Sequence, residues 1–138
     1  RGGCADAVGP QYAAFGRKLN MAKPDWETWL IETGHAIIEK KSERGAEALT
    51  DMERLTYCLW VADYGMTNAG DLRTSKDLYP DFQIEGLKLA QKLDLTATAQ
   101  AFGLNRRQLE RSYFDRFSSM CEEIAANYDD PSNTGDVN

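Results

Sequence analysis

Residues 50–72 read TDMERLTYCLWVADYGMTNAGDL, and they decide the fold class. Thr50 and Glu53 stand at the spacing of a capping box, in which each side chain satisfies the other residue's backbone N–H at a helix start. Leu55, Cys58, Leu59, Ala62 and Met66 then recur at three- and four-residue steps, so they share one helical face. The pattern halts at Thr67-Asn68-Ala69-Gly70. Asn68 and Gly70 are the residue types that most easily take positive φ, as helix-ending turns often require. The stretch predicts a buried helix followed by an ordered turn, with the Asn68 side chain bonded to nearby backbone.

The flanking sequence repeats the helical pattern on both sides. Upstream, Arg1 to Gly9 is small, Gly-rich and expected to be flexible. Tyr12, Phe15 and Leu19 make the stripe of a helix over about 10–19. Lys23-Pro24-Asp25 opens another, carrying Trp26, Trp29, Leu30, Ile37 and Ile38 to about Lys41, with Ser42–Gly45 as a charged connection. Downstream, Asp71–Leu78 suits a short helix with Leu72 and Leu78 turned inward. Phe82 to Leu93 suits another, burying Phe82, Leu87, Ala90 and Leu93. A short helix ends at Phe102. Asn105, with Gln108 at the reciprocal capping position, opens a long final helix whose stripe is Leu109, Tyr113, Phe117, Met120, Ile124 and Tyr128. Residues 129–138, DDPSNTGDVN, form a polar tail expected to be flexible. No run alternates as a strand does. The expectation is an all-α chain of six or seven helices in a single compact domain over 10–128, ending in a long helix.

Composition narrows the function. With 22 acids against 16 bases the net charge is −6. That argues against broad affinity for nucleic acid or anionic lipid, while allowing a local basic patch. No apolar run approaches the roughly 20 residues of a membrane span. Cys4, Cys58 and Cys121 have no metal-ligand spacing. Cys58 and Cys121 lie on apolar faces, where a thiol packs as a small hydrophobe, and a reducing, cytoplasmic setting fits best. His35 is the only histidine, and no motif places a nucleophile or acidic partner beside it. HExxH, CxxC, P-loop and GxGxxG patterns do not occur. The expectation is therefore no catalytic residue, no metal and no organic cofactor.

Two surfaces remain. Thr96–Phe117, TATAQAFGLNRRQLERSYFDRF, has the order of a helix-turn-helix: Ala99 where the helices press together, Gly103 at the turn where positive φ is useful, and Phe102, Leu104 and Leu109 around them. Asn105, Arg106, Arg107, Gln108 and Arg111 would then contact phosphates and base edges. Ser112 departs from the pattern, which favours an aliphatic residue there. An ordinary helix corner with a solvated arginine face is the plainer reading. The second surface is acidic. Asp63, Asp71, Asp77, Asp81, Glu122 and Glu123 could face a partner, with Asp63 read as a solvated helix charge. Tyr57 and Trp60, off the main stripe of their helix, suit a core edge or an interface.

From about Leu49 onward the chain resembles a bacterial family of small acidic all-helical domains, mostly of unknown function, one of whose members is a DNA mimic. Glu53, Arg54, Leu59 and Trp60 match its E-R-x-x-x-x-L-W helix. Asn68 and Gly70 match its Asn-Gly-Gly turn, with Ala69 replacing the central glycine. Gly86, Leu87, Ala90 and Leu93 suit its later helix. Leu72 stands where an aromatic is usual, and Arg73-Thr74-Ser75-Lys76 replaces a Gln/Phe-rich run. The resemblance implies an acidic helical domain that binds another protein, a nucleic-acid-binding protein among the candidates, and that can form a homodimer. The leading expectation is thus a protein-interaction module, with a DNA-binding helix-turn-helix regulator as the alternative.

Overall fold

Six α-helices and one 3-10 turn account for the regular structure of residues 25–128, the part of the chain that the computed structural model describes. They are α1 (Trp26–Arg44), the 3-10 turn Ala46–Ala48, α2 (Asp51–Ala69), α3 (Arg73–Leu78), α4 (Phe82–Lys92), α5 (Thr96–Phe102) and α6 (Arg106–Tyr128). No strand occurs among the described residues. The expected helix over 10–19 and the tail over 129–138 lie outside them.

α2 is the centre of the domain and touches α1, α3, α4 and α6. Its start is the capping box read from the sequence: Thr50 Oγ1 accepts the Glu53 N–H at 3.1 Å, and Glu53 Oε1 accepts the Thr50 N–H at 2.8 Å. Leu55, Cys58, Leu59, Ala62 and Met66 are all buried, and so are Met52, Thr56, Val61, Asp63 and Gly65. The helix is therefore enclosed well beyond one stripe. Thr56 answers its own hydroxyl by donating to Met52 O at 2.8 Å, which removes the cost of an unpaired buried donor.

The helix end is tighter than the expected four-residue turn. α2 runs through Ala69, and Gly70 alone takes the left-handed conformation, at φ 75° and ψ 13°. Asn68 stays helical, and its Nδ2 donates to Tyr64 O at 2.8 Å. A Cβ added at Gly70 would meet nothing within 4 Å, so a substitution there tests backbone conformation alone. Gly70→Val is expected to cost about 1–2 kcal/mol, read as a lowered denaturation midpoint; an unchanged midpoint would show that the turn does not need glycine.

α1 lies antiparallel on α2, as successive pairs show. Gly34 faces the Trp60 indole, and Lys40 Nζ bonds Glu53 at 2.8 Å. The helix continues past Lys41, where the sequence suggested a loop, because nothing stops it before Gly45 at φ 91°. The Trp26, Trp29 and Tyr128 rings meet edge to face, joining the start of α1 to the end of α6.

α3 and α5 have six and seven residues, too short to hold themselves in water. Tertiary contacts fix both. Leu72 and Ser75 are buried against α2, and Ser75 Oγ donates to Ala62 O at 3.2 Å. This contact sets the rotation of α3 and leaves Leu78, expected inside, 45% exposed. α4 closes with paired bonds from Leu95 N to Ala90 O and from Asp94 N to Gln91 O, with Asp94 at φ 59°. That is a Schellman ending carried by an aspartate instead of a glycine.

Candidate functional site

The start of α6 carries the concentration of positive charge. Asn105 begins it: its Oδ1 accepts the Gln108 N–H at 2.8 Å, and Gln108 Oε1 accepts the Asn105 N–H at 3.3 Å. Both side chains are thereby occupied by the helix start. The three arginines that follow are exposed. Arg106 Nε lies 3.9 Å from Glu110 Oε2, a long ion pair. Arg107 and Arg111 have no ion pair within 4 Å among the described residues. Lys76 of α3 joins Asn105, Arg106, Arg107, Gln108 and Arg111 around one shallow, open concavity. The positive end of the α6 dipole adds to the same field.

Beside this basin runs an apolar groove floored by Leu72, Phe82, Leu87 and Phe102, with Lys76 and Arg106 at its rim. Ile84, 62% exposed, lines it, and Phe114 projects from α6 at 58% exposure. Arg107, Arg111 and Phe114 stand at four- and three-residue steps, so they form one exposed stripe.

The turn between α5 and α6 departs from the helix-turn-helix expectation. Gly103 sits at φ −82° and ψ −7°, an ordinary right-handed conformation. The turn is instead latched from α4, where Gln83 Nε2 donates to Phe102 O at 3.1 Å and Leu104 O at 2.7 Å. Ser112 fits without an aliphatic side chain because its hydroxyl donates to Gln108 O at 2.9 Å and receives Arg116 Nε at 3.0 Å. Nothing in the sequence pattern singled out Gln83.

The acidic candidates divide. Asp63, read as a solvated charge on a partner surface, is buried at 4% exposure, and Tyr113 Oη donates to its Oδ1 at 2.7 Å. It faces the junction of α1, α2 and α6 because residue 63 shares the inward side of an unusually enclosed helix. Burial first, and then Asp63, push the Tyr113 phenol well above its ordinary value. Asp71 Oδ1 accepts the Thr74 N–H at 3.0 Å at the head of α3, and that bond lowers its pKa. Glu123 reaches from α6 to the head of α5, accepting the Ala97 and Thr98 N–H groups at 2.9 and 2.8 Å and the Thr98 hydroxyl at 2.7 Å. Asp77, Asp81 and Glu122 are exposed. The six do not make one acidic face.

Glu110, never a candidate, does for α3 what Glu123 does for α5: its Oε2 accepts the Leu72 N–H at 2.8 Å. Cys58 and Cys121 are free and buried. Burial pushes both thiols up, away from the thiolate form that reacts. His35 is exposed. Tyr57, Trp60 and Tyr64 stack along α2 with centroids 6.0 and 5.7 Å apart, Trp60 resting against Gly34. No group of three or more His, Cys, Asp or Glu among the described residues is arranged to hold a metal, and no described helix is long and apolar enough to cross a membrane. The chain matches no family model, and no curated protein or solved structure matches it.

Proposed function

We propose that this protein is a binding module that engages polyanions, nucleic-acid backbone above all, through the arginine face at the start of α6. The observation that carries the reading is the state of the charges: among the described residues Arg107 and Arg111 are exposed and unpaired with acids, Arg106 is weakly paired, and Lys76 borders the same concavity. Asn105 and Gln108, the side chains suited to base edges, are held in the helix cap. The contacts are therefore of the phosphate kind, which position a ligand but carry no sequence information. The overall charge of −6 keeps such binding weak, but charges beyond about 10 Å are screened at 0.1 M salt, so the local patch dominates.

A mobility-shift titration with random-sequence duplex at low salt tests this. Retardation should fade as salt rises and should not depend on sequence. The double variant Arg107→Ala/Arg111→Ala should bind more weakly and lower the log–log salt slope by about 2, one unit for each lost phosphate contact. Absence of retardation at low salt would remove the proposal.

A protein-interaction module is the second reading, favoured by exposed Ile84 in the cation-rimmed apolar groove and by exposed Phe114 on α6. The resemblance to acidic helical domains points the same way. A partner protein, or a second copy of this chain, would seat an apolar side chain there, and the uncharged change Ile84→Ser would weaken its capture without affecting retardation of DNA.

A further inference from the structure

α3, α4, α5 and α6 all contribute to the apolar groove, and its walls are held in place. Gly86 of α4 lies so close to α5 that an added Cβ would stand 3.1 Å from the Phe102 ring, and the Phe82 and Phe102 rings meet edge to face at 6.4 Å. Leu72 and Phe82, on the floor, are buried. Gln83 is the neutral polar side chain of the lining, and its amide nitrogen is already spent on Phe102 O and Leu104 O. The interior therefore selects an apolar group, and it is shaped before that group arrives, which lowers the cost of binding. At about 260 Å³ the groove is smaller than the roughly 300–1,000 Å³ of pockets that take drug-sized ligands. It suits a single large side chain.

The charges around this seat are all of one sign. Lys76 and Arg106 line both the groove and the basin, Arg107 and Arg111 line the basin, and among the described residues no acid lines either concavity. A chain of net charge −6 thus sets a local excess of cations beside an apolar seat. Nucleic-acid backbone would leave the seat empty. A flat lipid surface would meet the rim and not the floor. An amphiphile with one charged head would answer one cation. An acidic peptide answers both halves. We infer that groove and basin together bind an acidic segment of a partner protein, with one large apolar side chain seated over Leu72 and Phe82 and flanking carboxylates on Arg106, Arg107 and Arg111. The inference rests on the reading of the groove as a protein-binding surface, and it names the partner's chemistry. Burial of the seated side chain supplies affinity, and the charge complementarity speeds encounter and excludes basic partners. Because Lys76 and Arg106 belong to both concavities, a seated segment and a nucleic-acid backbone compete.

Fluorescent peptides carrying leucine, phenylalanine or tryptophan among glutamates and aspartates, titrated against the full chain at low salt by anisotropy, provide the test. Binding is expected, and serine in place of the apolar residue should weaken it about tenfold or more. In the protein, Ile84→Ser at an exposed position should weaken it severalfold. Arg107→Ala/Arg111→Ala should weaken it about fivefold and flatten its salt dependence. No binding by any of the peptides overturns the inference. Equal binding of controls with glutamine and asparagine for the acids also overturns it, while leaving an uncharged protein seat standing. Equal binding of the serine control overturns it together with the protein-binding reading of the groove. Association of the chain with phosphatidylserine vesicles, or with itself, that Ile84→Ser abolishes would assign the groove to a lipid surface or to a second copy, against the inference. These arms use no nucleic acid, so they stand whether or not duplex is retarded. Where it is retarded, the acidic peptide should release it, and a complex holding both would overturn the competition.

Discussion

Gly65→Ala is expected to destabilise the domain by about 3 kcal/mol, although glycine to alanine inside a helix ordinarily stabilises by about 1 kcal/mol. The sign reverses because of what lies opposite. A Cβ at residue 65 would stand 2.6 Å from Asp71 O and 2.8 Å from Ser75 N, besides 2.2 Å from Ser75 Oγ. A hydroxyl can rotate aside; two backbone atoms cannot. α3 would have to move away from α2, weakening the Ser75–Ala62 bond and uncovering Leu72, which is fully buried. Because α3 is only six residues long, it has no stability of its own with which to resist. Gly34 offers the internal control. The added Cβ there meets only the Trp60 indole, at 2.3 Å, and a half-exposed ring can shift, so Gly34→Ala should be the milder change. Denaturant melts of the two variants check this. A Gly65→Ala protein as stable as the parent would mean that the contact between α2 and α3 is looser than described.

Glu123→Ala should have an effect of similar size. One carboxylate accepts two backbone N–H groups and the Thr98 hydroxyl at the head of α5. Thr98 is fully buried, so no water replaces the lost acceptor. Hydrogen bonds to a charged group contribute about 1.5–3 kcal/mol, and stranded buried donors cost about 1–3 kcal/mol. A loss of about 3 kcal/mol would lower the melting temperature by roughly 10–20 °C for a domain of this size. Glu122→Ala, at the exposed neighbouring position, should leave the melt almost unchanged, and equal melts for the two variants would remove the capping role. Glu123→Gln should fall between, since it keeps an acceptor but loses the charge.

These two sites mark where sequence reading stopped. The capping boxes at Thr50/Glu53 and Asn105/Gln108, the buried stripe of α2 and the left-handed Gly70 all rest on residues within a few positions of one another. Local periodicity and backbone sterics are enough to reveal them. The all-α class follows from the same short-range rules. The arginine cluster was also legible, because Arg106, Arg107 and Arg111 share one helix start. That Asn105 and Gln108 cap the helix instead of reaching outward was visible in the capping-box spacing itself.

Only the tertiary structure decided what each acid does. Asp63, Glu110 and Glu123 look alike in sequence, as carboxylates on amphipathic helices. Yet Asp63 meets Tyr113 fifty residues away, Glu110 caps α3 across thirty-eight, and Glu123 caps α5 across twenty-five. A helix has a polar and an apolar side by composition, but its neighbours determine how far burial extends around it. α2 is enclosed by four other helices, which draws Asp63 inside. The short helices α3 and α5, unable to stand on local bonds, are held by carboxylates from α6 instead. Cap and stripe are settled by the chain's nearest residues, whereas the partner of a buried charge is settled by which helix packs against it.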